Sequence, residues 1–177
     1  MALGALLTLA LAVGAVIGSG ANFTASSANP ANTFSSGTLT MLNSQAGSAV
    51  LTAANMRPGD PATTGTVDIK NTGSLSGAFS VSKSALTDSD GANPMSAKLN
   101  LTVVDCGVYA GATPPTCGDG DDISKYSGTL GAMPTRALGT FAAGEHHRYE
   151  FSVALDSSAN DGYQGDSSSA TFNWNAA

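Results

Sequence analysis

Period-two alternation is the strongest constraint on how this chain can fold. In HHRYEFSVAL (residues 146–155), Tyr149, Phe151, Val153 and Leu155 share one parity, and Arg148, Glu150 and Ser152 share the other. Successive side chains of a strand point to opposite faces, so the pattern describes a strand with one face buried. SSSATFNWNA (residues 167–176) repeats it, with Ala170, Phe172 and Trp174 facing in and Thr171, Asn173 and Asn175 facing out. Shorter versions place Val67 and Ile69, Phe79 and Val81, and Leu99, Leu101 and Val103 inward. Weaker strands are expected at 37–42, 126–130 and 138–141, with a further apolar run at 49–54. Between these segments lie turn formers: Arg57-Pro-Gly-Asp-Pro61, Asn71-Thr-Gly-Ser74 and Thr87-Asp-Ser-Asp-Gly-Ala-Asn93. After the N-terminal apolar run, no segment carries a helical apolar period. About eight or nine short strands with regular turn signals predict one all-β domain, an antiparallel jelly roll or β-sandwich.

The charge distribution separates the N-terminal region from this domain. No charged side chain precedes Arg57, and residues 2–18 are apolar apart from Thr8 and glycines. Small residues follow at Ser19, Gly20 and Ala21. An apolar run ending in a small-x-small site reads as a secretory signal peptide over residues 1–21, cut between Ala21 and Asn22 by a signal peptidase during export. Its N-region carries no Lys or Arg. The alternative is a retained anchor, for which the roughly 17-residue run is short. Cleavage leaves no stable membrane insertion and frees residues 22–36, ahead of a domain at 37–177. The protein is therefore expected outside the cell or on its surface.

Only 11% of the residues are charged, and the net charge is -6. The seven basic residues are scattered singly, whereas phosphate neutralisation needs them clustered. Nucleic acid is not an expected partner. Cys106 and Cys117 enclose a loop with Gly and a Pro-Pro pair; in an oxidising compartment they are expected to form a disulfide. A zinc site would need further Cys or His at ligand spacing.

Three local patterns together resemble the TasA/camelysin family of secreted bacterial proteins. They are the junction with Asn29-Pro30, Asn32-Thr33-Phe34 and Ser36-Gly37-Thr38-Leu39; Asn55-Met56-Arg57-Pro58-Gly59-Asp60 with Asn71-Thr72-Gly73-Ser74; and Asn160-Asp161-Gly162-Tyr163-Gln164-Gly165 before the strand of Phe172 and Trp174. The resemblance implies export by a dedicated signal peptidase and a jelly-roll subunit of extracellular or biofilm-matrix fibres. It also implies self-association in which the freed N-terminal segment of one subunit completes the sheet of the next. Phe23 and Phe34 are the candidate anchors of such a donor strand.

Camelysin-like proteins have been classed as metallopeptidases, so Glu145, His146 and His147 are candidates for metal chemistry. A zincin places two histidines one helical turn apart on one face. Neighbouring histidines at a strand start point to opposite faces, and solvent-facing imidazoles are expected instead. Asp88 and Asp90, and Asp119, Asp121 and Asp122, supply carboxylates in Gly-containing loops, as Ca²⁺ would require or as solvated turns alone would use. No Gly-x-Ser-x-Gly elbow is present. The expectation is a non-enzymatic structural protein without catalytic residues, metal or other cofactor. The alternatives are a secreted metallopeptidase and a monomeric cell-surface binding module.

Overall fold

A computed structural model describes residues 33–177, and its folded unit runs from Ser36 to Ala177. The leader, the Ala21-Asn22 cleavage site and Phe23 lie outside the described residues. Eight strands follow in order: β1 (Met41–Asn43), β2 (Thr63–Asn71), β3 (Gly77–Asp88), β4 (Leu99–Val108), β5 (Ile123–Thr129), β6 (Arg136–Phe141), β7 (His146–Leu155) and β8 (Ser168–Ala176). They form two antiparallel sheets, ordered β1-β2-β7-β4-β5 and β6-β3-β8. The fold is the all-β sandwich that the alternation predicts, with its strands divided five and three.

The core lies between the sheets and is built by the inward parity of each strand. Val67 and Ile69 of β2, Leu101 and Val103 of β4, and Tyr149 and Phe151 of β7 meet Phe79 and Val81 of β3. Phe141 of β6 stacks on Phe79 with ring centroids 4.2 Å apart. Of the connections between successive strands, only β1–β2 and β4–β5 stay within one sheet. The pairs that hold the sheets are thus distant in sequence, β2 with β7 and β3 with β8.

The expected first strand at 37–42 is shorter than the pattern suggests. Regular pairing begins only at Met41, because β2 ends at Asn71 and turns. Thr38 and Thr40 bond instead to the turn itself, their carbonyls accepting from Ser74, Leu75 and Thr72. That turn is held by Asn71, which is fully buried. Its Nδ2 donates to the carbonyls of Leu75 (2.8 Å) and Phe141 (3.2 Å), and its Oδ1 accepts from Gly73 N–H. The apolar run at 49–54 is not a strand. It crosses the side of the sandwich as irregular chain, with Val50, Leu51 and Ala53 packed against the core.

Candidate functional site

The side of the sandwich between β2 and β8 is incompletely closed. At the end of the β3–β8 ladder, Ala78 and Ala177 exchange both backbone hydrogen bonds, at 2.8 and 3.0 Å. Bonded pairs alternate along an antiparallel ladder, so Asn175, Asn173 and Thr171 also bond to β3. The N–H and C=O groups of Trp174, Phe172 and Ala170 therefore point away from β3, where they have no backbone partner among the described residues. Their side chains face inward, and Trp174 and Phe172 tilt against Tyr149 and Phe151 of β7, with centroids 5.4 and 4.7 Å apart.

Sheet one is open on the same side. Asn71 bonds towards the β7 side, accepting from Gly144 and donating to Glu145. By the same alternation, Lys70, Asp68, Thr66 and Thr64 turn their main-chain groups outward. β1 covers Lys70 and Ser44 covers Asp68, but Thr66 and Thr64 have no backbone partner there among the described residues. Beside the β8 edge lies a cleft of about 1140 Å³, bordered by residues 47–56, Met95, Leu101, Val153, Phe172 and Trp174; residues 47–56, rather than β2, line it. An unpaired strand edge beside an apolar floor is the arrangement to which an extended peptide adds.

At the far end of β7 the inward face carries charge. His147 shares the parity of Tyr149, and Asp105 on β4 shares that of Val103. Both side chains therefore enter the sandwich; His147 is 14% exposed and Asp105 3%. His147 Nδ1 is 3.0 Å from Asp105 Oδ1, and Nε2 is 2.8 Å from Glu145 Oε1. With a carboxylate at each ring nitrogen, only the doubly protonated imidazolium donates to both. Phe141 stacks on the imidazole at 4.3 Å, and Lys125 Nζ lies 3.3 Å from Asp105 Oδ2. Burial disfavours the charged forms, yet the mutual hydrogen bonds and charges outweigh it. The His147 pKa is raised, and those of Asp105 and Glu145 are held below the usual carboxylate range.

Asp105 owes part of its position to a β-bulge. The β4–β7 register shifts between Asp105 and Val108, and Gly107 takes φ +112°, a value that favours glycine. Gly107 N–H then donates to Asp105 Oδ1 at 3.1 Å. In the same bulge, buried Cys106 is bonded to Cys117, as expected, with Cα atoms 4.8 Å apart.

The structure places the other candidates individually. The expectation of two solvent-facing imidazoles is corrected for His147, which is clamped inside. His146 lies on the opposite parity, stacked on Tyr109, with Nε2 3.0 Å from the phenol oxygen. Asp88 is committed to Ser96, accepting from its N–H and its hydroxyl, and Asp90 accepts from Ala92 N–H and the Asn93 amide. Carboxylate oxygens of Asp119, Asp121 and Asp122 do converge within 4.8 Å, at an exposed loop beside the disulfide. There the Asp119 carboxylate pushes the Asp121 pKa up, and Asp122 Oδ2 accepts from Gly118 N–H at 2.6 Å. Phe34 is described and is 95% exposed. Neither the β8 edge nor the half-open β2 edge had a local signal in the sequence.

Among the described residues, no helix is long and apolar enough to cross a membrane. Comparison with family models and with curated proteins finds no match to this chain.

Proposed function

We propose that the chain is an exported structural protein, a subunit of extracellular or biofilm-matrix fibres that assembles by β-strand addition. The donor is the N-terminal segment, residues 22–36, freed by cleavage between Ala21 and Asn22. The acceptor is the lateral cleft of a second copy. The observation that carries this reading is the unpaired backbone edge of β8 along a cleft floored by Leu101, Val153, Phe172 and Trp174, with a second unpaired stretch at Thr64 and Thr66 of β2. Main-chain bonds to such an edge supply affinity, and side-chain pockets supply register. Residues 22–36 contain no charged side chain, so their entry into the cleft buries no charge of their own. Phe23 and Phe34 are the bulky groups available to anchor it, and the described one, Phe34, is exposed. The disulfide fits an oxidising environment, in keeping with export.

The metallopeptidase alternative draws little support from the histidines. Both ring nitrogens of His147 face carboxylates, and His146 is turned to Tyr109 on the other face. A synthetic peptide of residues 22–36 discriminates the readings. Under strand addition it binds protein lacking those residues and inhibits assembly of the mature chain. A monomeric binding module predicts no such binding and no self-association at any concentration. A metallopeptidase predicts chelator-sensitive proteolysis lost in His146→Ala or His147→Ala.

A further inference from the structure

We infer that residues 49–56 form a strap that walls the acceptor cleft of the isolated subunit off from β2 and is displaced when a donor segment adds; this rests on the strand-addition reading. The strap has the composition of a strand, AVLTAANM, without a charge. Val50, Leu51, Ala53 and Met56 pack against the core without a strand's alternation. None of the strap's N–H or C=O groups makes a hydrogen bond to another described residue, although Val50 lies over Gly65 of β2.

The contact with β2 explains how the strap fits so closely. A Cβ on Gly65 would collide with the Val50 carbonyl oxygen and lie 2.9 Å from Leu51 Cβ. Glycine at that position lets the strap rest on the β2 backbone, at the level where Thr64 and Thr66 are unpaired. At the far end of the strap, Asn55 adopts φ +53°, a left-handed conformation that asparagine tolerates better than most residues. The strap therefore covers apolar surface while making none of the sheet-edge hydrogen bonds among the described residues. An incoming strand covers the same surface and makes those bonds as well, so exchange favours the donor. Until then the strap shields the edge from indiscriminate pairing.

Two variants of the mature chain test this. Leu51→Cys places a thiol on the strap, and the two native cysteines are already bonded to each other, leaving no other free thiol among the described residues. Labelling of this thiol by a small maleimide is expected to be slow in the monomer and at least tenfold faster in filaments. Gly65→Ala, which lifts the strap, is expected to shorten the assembly lag several-fold. Amide exchange of residues 168–176 is measured alongside, because protection there on assembly reports strand addition itself. If that peptide becomes protected while Leu51→Cys labels at the monomer rate, the strap is not displaced and the inference falls, with strand addition standing. If neither wild type nor variants assemble, or no edge becomes protected in the filaments, both fall together. Should Gly65→Ala fail to fold, the labelling of Leu51→Cys decides alone.

Discussion

His147 on β7 and Asp105 on β4 are joined at 3.0 Å inside the sandwich, and Glu145 closes the other side of the same imidazole at 2.8 Å. The pH dependence of this clamp follows from the direction of each shift. The His147 pKa is raised on folding, so its contribution is complete below about 6.5 and is lost as pH rises through the folded-state value. Asp105 and Glu145 are shifted down, so theirs is complete above about 4.5 and is lost as pH falls through their folded-state values. The clamp is at full strength between those limits. Removing one partner of a buried ion pair leaves the other uncompensated, so His147→Gln should cost about 3 kcal/mol at pH 5.5. Urea unfolding of both proteins over a pH series should show the gap narrowing on the alkaline side; parallel curves would contradict the clamp.

Tyr149 gives the opposite kind of prediction. It is fully buried, and its hydroxyl lies near the Asp105 carboxylate but makes no hydrogen bond of ordinary geometry among the described residues. Deleting an unsatisfied buried hydroxyl removes a desolvation cost and keeps the ring packing. Tyr149→Phe should be neutral or stabilising by up to about 1 kcal/mol, read as an unchanged or higher Tm.

Asn71→Ala should be costly for a residue with no catalytic part. It strands the Leu75 and Phe141 carbonyls and the Gly73 N–H, three groups at the junction of β2, β6 and the turn. A loss of about 2–3 kcal/mol is expected by chemical denaturation. Asn71→Asp should not rescue it, because a carboxylate lacks the amide donor that serves both carbonyls.

Cys106 and Cys117 close a short loop at the β4 bulge. On the chain-entropy model, replacing both by Ser costs about 2–3 kcal/mol. A reducing agent should lower the Tm of wild type and leave that of the double variant unchanged.

How far the fold was legible depends on which part of the pattern is local. The inward parities of Val67 and Ile69, and of Tyr149 and Phe151, are written in consecutive residues, and the sandwich follows from them. Partner choice is not local: β2 finds β7 and β3 finds β8 across most of the domain. The run at 49–54 satisfied the apolar criterion of a strand but crosses the cleft without ladder bonds, a tertiary fact with no local mark. The clamp was partly legible. His147 and Asp105 share parity with inward neighbours, so the rule that placed Tyr149 inside also places them inside. The polarity of both histidines points to solvent, but for His147 the strand parity decides.

Strand addition by residues 22–36 is the central claim, and filament formation by the mature protein tests it most directly. Protein beginning at Asn22 should give filaments in negative-stain electron microscopy, and the same protein lacking residues 22–32 should give none while keeping its Tm. Undiminished filaments from the truncated protein would contradict the account.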